Sequence, residues 1–217
     1  MLHDLLVFWF ELTLRWGYLG VVGMMAIEST VFPLPSEVVV PPAAYWASQG
    51  KFSFAGVVLA ATIGSYLGSA LSYAVASRLG RPLLLRYGRY LFLPEKKWQL
   101  AEAWIHRYGT AGIFFARLLP VVRHLVSLPA GAARLPFGRF SAATLLGAGF
   151  WSWVLAWFGA RVLADQPNLL DDPAVMVAVV KDKLLWLAGA AILLFAAYVA
   201  VDLIGRRLRR SPAEVGS

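Results

Sequence analysis

Residues 52–77, 140–160 and 184–201 each run without a single charged side chain. About 20 apolar residues wound as a helix cross the roughly 30 Å hydrocarbon core of a bilayer, so each run can form a span, with tilt absorbing any excess. The chain is 59% hydrophobic and only 15% charged over 217 residues, and its nine Trp and thirteen Phe exceed what one soluble core of this size would bury. Composition and pattern together imply an all-α, polytopic membrane protein. Small residues recur along the first run (Gly64, Ser65, Gly68, Ser69, Ser72), a spacing that lets helices approach closely inside a bilayer. The opening segment, "MLHDLLVFWFELTLRW", lacks a basic n-region and a small-residue cleavage site, so it is expected to be retained. With no cysteine in the sequence, disulfides, thiolate metal sites and cysteine nucleophiles are excluded.

Two further apolar regions are too broken to be simple spans. Region 17–50 holds "ESTVFPLPSEVVVPPAAYW", with Glu28 and Glu37 beside Pro33, Pro35, Pro41 and Pro42. Region 109–136, "GTAGIFFARLLPVVRHLVSLPAGAARLP", embeds Arg117 and Arg123 and is interrupted by Pro120, Pro129 and Pro136. Non-helical backbone at membrane depth is tolerated only where protein or a water-filled cavity satisfies its polar groups. Each region is therefore expected to form a Pro-broken re-entrant hairpin. Pro33, Pro35, Pro120 and Gly131 would hold the tips out of helical conformation.

The two regions share a signature. "RWGYLG" at 15–20 and "RYGTAG" at 107–112 have Arg, an aromatic and two glycines at the same spacing. Each follows an amphipathic-looking segment (2–14 and 94–106) and leads through a broken hairpin into a long span. An internal repeat follows from that order of elements. The boundaries expected are a single transmembrane domain over 1–217: repeat one 2–77, a basic loop 78–107, repeat two 94–164, an outer loop 165–183, a final span 184–204 and a basic tail 205–217.

The formal charge of +8 could suggest nucleic acid, but the basic residues cluster between apolar runs (Arg78, Arg81, Arg86, Arg89, Lys96, Lys97) and in the tail (Arg206, Arg207, Arg209, Arg210). That placement follows the positive-inside bias, and no nucleic-acid partner is expected. Loop and tail then lie on the cytoplasmic side, and Asp165, Asp171 and Asp172 follow the far end of the second span. The two repeats would be inverted, the layout of secondary transporters with substrate held at the repeat interface.

An ionisable group at bilayer depth costs roughly 2.5–3.5 kcal/mol on insertion scales unless it is paired or hydrated. Glu28 and Glu37 from repeat one and Arg117 and Arg123 from repeat two are therefore expected to face one another or water. Structural ion pairing is the plain reading. The functional one is a polar chamber in which the arginines clamp a phosphate headgroup and the glutamates exchange protons or balance charge.

The motifs "ESTVFPLPSEVVVPPAAYWA" and "FFARLLPVVRHLVSLPAGAARLPFGRF" resemble the DedA family of bacterial membrane proteins, related to the VTT/SNARE-associated-domain lipid scramblases. The likeness covers about residues 15–165 and rests most on Arg117, Pro120, Arg123, Ala130 and Gly131. It implies envelope homeostasis and lipid translocation across the inner membrane, with undecaprenyl phosphate or phosphatidylethanolamine as cargo and dependence on the proton motive force. By motif match, Glu28, Arg117 and Arg123 would be the functional charges. Two positions depart from the pattern: Gly68-Ser69 stands where many members have Gly-Asp, and Gly159-Ala160 where Gly-Tyr is usual.

The competing readings are a proton-coupled small-ion transporter, a structural membrane protein and a membrane lipid phosphatase. A phosphatase needs a histidine nucleophile oriented by a carboxylate. His124 has no acidic residue close after it, and His3 and His106 lie in flanking segments, so His124 is expected to line the hairpin and no enzyme activity is expected. No HExxH or similar metal motif occurs, and neither metal nor cofactor is expected. Tyr45, Tyr66 and Tyr73 are expected to pack or hydrogen-bond within the bundle, and Trp151, Trp153, Trp157 and Trp186 to face lipid or the interface. The partners expected are membrane lipids and protons, and a homo-oligomer is compatible with this reading.

Overall fold

The computed structural model describes residues 2–30, 36, 39–88, 95–119, 122–123 and 126–163, with isolated positions 189, 193 and 196. Every regular element among them is helical: α1 (Leu2–Glu28), α2 (Val40–Ser48), α3 (Phe54–Gly88), α4 (Glu95–Arg117), α5 (Ser127–Ala132) and α6 (Phe137–Phe158), which ends in a π-helical turn over Gly159–Leu163. Pro33, Pro35, Glu37, Pro120, His124, Trp186 and almost all of the third apolar run lie outside the described residues.

The first two apolar runs are α3 and α6. Their lengths Phe54–Gly80 and Phe137–Arg161 are both long and apolar enough to cross a membrane. On α3, Leu59, Ile63, Leu67, Leu71, Val75 and Leu79 are all exposed, one at every fourth residue. At 1.5 Å per residue that row is about 30 Å long, the height of a hydrocarbon core. Leu146, Phe150, Trp153 and Trp157 make a similar exposed row on α6. The stretch expected as a basic loop, 78–107, is instead helical through Gly88 and again from Glu95.

The two signature glycines share a backbone conformation. Gly17 has φ 59°, ψ −136° and Gly109 has φ 51°, ψ −127°, so α1 and α4 both kink where the flanking segment meets the apolar limb. Positive φ at both positions explains why the motif demands glycine there. The prolines do more than break helices. Pro41 and Pro42 occupy the first turn of α2, where a missing N–H costs nothing. Gly131, expected to keep a hairpin tip non-helical, lies inside α5 with Pro129.

Small residues bring the helices together, as the sequence pattern required. A Cβ on Gly64 or Gly68 of α3 would stand 2.3 Å from the Val22 carbonyl oxygen or 2.1 Å from that of Ala26, both on α1. Gly147 of α6 packs in the same way against Arg117 and Phe114 of α4. The short helices cross over: α5 sits on α3 through Gly131, and α2 sits on the end of α6 through Gly159. Two apolar clusters result, one around Met25, Val40, Val57 and Leu155, the other around Tyr73, Ile113, Ala130 and Phe140. Tyr73 donates to the Leu135 carbonyl, and the Tyr66 and Ser141 hydroxyls bond at 3.0 Å, so both tyrosines serve the bundle as expected.

Candidate functional site

The charged groups meet at the ends of α1 and α4, against α3 and α6. Glu28 is the last residue of α1 and Arg117 the last of α4. A helix C-terminus carries partial negative charge, so it favours Arg117 and disfavours Glu28. Glu28 is compensated from the other half of the chain: Arg123 Nη2 lies 2.6 Å from Glu28 Oε1, with both side chains buried. The same nitrogen donates to Ser36 Oγ at 2.6 Å. Arg123 therefore ties the second broken region to both sides of the first.

Hydroxyls complete the arrangement. Ser29 Oγ donates to Glu28 Oε2 at 3.0 Å and bonds Ser65 Oγ at 2.8 Å. With its one proton given to the carboxylate, Ser29 must accept from Ser65. Ser69 is fully buried and donates to the Ser65 carbonyl. Arg117 Nη2 donates to Ser127 Oγ at 2.7 Å, joining the end of α4 to the start of α5. The guanidinium carbon of Arg123 lies 5.2 Å from the Trp151 ring centroid, a cation–π contact worth roughly 0.5–2 kcal/mol.

Glu28, Arg117, Arg123, Ser65, Trp151 and Ser152 line a cavity of about 10 Å³, room for one water at most. The cavity is thus too small for a headgroup, and its two arginines and one glutamate leave a formal surplus of one positive charge. Of the expected site residues, the structure brings Glu28, Arg117 and Arg123 together and sets Gly131 one turn beyond Ser127; Glu37 is outside the described residues. Sequence reasoning missed Ser29, Ser36, Ser65 and Ser127. It also misplaced Trp151, which is 4% exposed, whereas Trp153 and Trp157 are 48% and 52% exposed as expected for lipid-facing residues. Helical phase separates them: Trp151 shares a face with Gly147, Ala148 and Leu155, which are all buried.

This geometry falls almost wholly inside a recognised unit, because the VTT domain matches residues 34–161, which is more than half of the chain. The chain belongs to the VTT domain family. Within this VTT domain lie Ser36, Ser65, Arg117, Arg123, Ser127 and Trp151, while Glu28 stands just ahead of it. The chain is 36% identical over 170 residues to undecaprenyl phosphate transporter A of Bacillus subtilis, covering 76% of this chain and 84% of that protein. An alkaline phosphatase-like protein of Lactococcus lactis subsp. lactis is 34% identical over 175 residues, 76% of this chain and 81% of its own length. The uncharacterized membrane protein YkoX of Bacillus subtilis is 30% identical over 98% of this chain and 90% of that one. No solved structure matches the chain. Family membership and the two apolar helices together make this VTT-domain chain a membrane protein.

Proposed function

We propose that the protein translocates a phosphate-bearing lipid across the bacterial inner membrane, with undecaprenyl phosphate as the leading substrate. The observation that carries this reading is Arg123, buried at the meeting point of the broken regions and held there by Glu28 and Ser36. The name carried by the Bacillus subtilis relative supports the choice of lipid. A phosphate monoester brings about −1.5 to −2 charges and three acceptor oxygens, against the single charge of one carboxylate. It can therefore displace Glu28 from Arg123, more easily once Glu28 takes up a proton. Headgroup binding and protonation are coupled in this scheme because both compete for one ion pair. The polyprenyl tail stays in lipid beside the exposed rows of α3 and α6, and only the headgroup crosses the polar interior.

The two broken regions act in this scheme as inverted re-entrant hairpins that open the site to either side in turn. The C-terminal tail would be cytoplasmic. Chemistry on the phosphate is not part of the scheme.

The test is translocation of a fluorescent short-chain polyprenyl phosphate in proteoliposomes, with and without a pH gradient, beside a labelled phosphatidylethanolamine. Wild type is expected to move the polyprenyl phosphate and to respond to the gradient. Glu28→Gln is expected to run about tenfold slower, the scale of one charge-assisted hydrogen bond, and to ignore the gradient. A gradient response that survives in Glu28→Gln would remove Glu28 from the coupling. No movement of either lipid by folded wild-type protein would turn the reading to a small-ion transporter or a structural role.

A further inference from the structure

Beyond the ion pair, the site holds buried donors that no hydrogen bond satisfies among the described residues. Trp151 lines the cavity at 4% exposure, and its Nε1–H has no hydrogen-bond partner among the described residues. Arg117 lines it too; its Nη2 is taken by Ser127, but its buried Nε–H has no partner among the described residues. Thr144 Oγ1, two turns before Trp151 on the buried face of α6, also lacks a partner among the described residues but does not line the cavity. Buried donors in folded proteins are nearly always satisfied, so exceptions that border one cavity call for a common explanation.

Indole and guanidinium can donate only. A single water bridging them would pass its own protons to Glu28, Ser65 or Ser152 on the same cavity wall. An oxyanion accepts from both donors and has no proton to place, so it suits this position once Glu28 has been displaced. We propose that Trp151 Nε1–H and Arg117 Nε–H are ligands for a phosphoryl oxygen, so that α6 forms a third wall of the headgroup site beside the two broken regions. This rests on the headgroup reading above. Trp151 has a second duty in the same site, since its ring lies against the Arg123 guanidinium and fixes the plane that the fork presents. The site is closed to a headgroup in this conformation, and release of Arg123 from Glu28 is the step that lets phosphate reach Trp151, Arg117 and Arg123 together.

The experiment is a titration of full-length, ¹⁵N-tryptophan-labelled protein in nanodiscs, following its nine indole N–H resonances. The probes are geranyl phosphate, inorganic phosphate and, as a control, geraniol. The Trp151→Phe variant assigns the resonance; it keeps a ring against Arg123, and its melting temperature without ligand checks the fold. Geranyl phosphate is expected to move the Trp151 indole proton downfield, and geraniol to leave it in place. Trp151→Phe is expected to bind geranyl phosphate at least tenfold more weakly, as loss of a hydrogen bond to a charged group requires. A shift with inorganic phosphate as well would assign the donors to the phosphoryl group alone; a shift with geranyl phosphate only would assign them to a lipid-linked phosphate. If geranyl phosphate binds while no indole resonance moves, the inference falls, whether or not the variant folds, and the headgroup reading stands. If neither phosphate binds, both fall.

Discussion

Arg123→Ala is expected to cut translocation of polyprenyl phosphate by about a hundredfold or more, in keeping with loss of one member of a buried, hydrogen-bonded charge pair. It also leaves the Glu28 carboxylate buried without its principal counter-charge. Stability should therefore fall by roughly 3–5 kcal/mol, as it does when a buried ion pair is broken from one side. A loss of transport alone would be ambiguous, because an unstable protein also fails to transport. The double variant Glu28→Gln, Arg123→Gln separates the two. Replacing both charges removes the uncompensated ion, so melting temperature should recover most of the way to wild type. Transport should not recover, because the clamp is gone. A purely structural ion pair predicts the opposite, full recovery of whatever the protein does. Melting temperature and flux measured on the same preparations decide between them.

The charged half of this site was legible in the sequence because charge is conspicuous in an apolar chain. Glu28, Arg117 and Arg123 stand out at membrane depth, and energetic cost alone predicts that they meet. Their partners were not legible. Ser29, Ser36, Ser65 and Ser127 are unremarkable residues in a membrane helix, where serine serves equally as a small packing residue. Only the register of α1 against α3 decides that Ser65 faces Ser29 and not lipid. That register is set by Gly64 and Gly68, which the sequence did mark as close-approach positions without naming the helix that approaches.

Trp151 illustrates the same limit from the other side. In "GFWSWVLAWFG" three tryptophans look alike by composition, and an interfacial role is the ordinary expectation for each. Phase distinguishes them: the buried face is marked by Gly147, Ala148 and Ser152, and Trp151 lies on it while Trp153 and Trp157 do not. A helical projection could have found this from the sequence. It could not have supplied what the buried ring meets there, which is the Arg123 guanidinium.

Gly131→Leu is expected to prevent stable assembly, and Gly131→Ala to lower stability by about 1–3 kcal/mol, the usual cost of forcing extra volume into a packed interface. A Cβ there would stand 2.3 Å from the Tyr73 carbonyl oxygen and 2.9 Å from the Ala76 Cβ. Neither can move aside cheaply, because both belong to α3, a long helix whose backbone is already bonded to itself. The short helix must move instead. α5 carries Ser127 one turn earlier, and Ser127 holds Arg117 at 2.7 Å. A displacement of α5 thus reaches the site through that hydrogen bond and should slow transport in Gly131→Ala beyond what lost stability explains. Gly138→Ala is the control, since a Cβ there meets nothing within 4 Å; at an early, exposed helical position it should be neutral or slightly stabilising. Thermal melting in detergent and flux in proteoliposomes are the measurements. Equal behaviour of the two alanine variants would show that α5 does not need its close approach to α3, and Gly131 would then have no part in setting the position of Arg117.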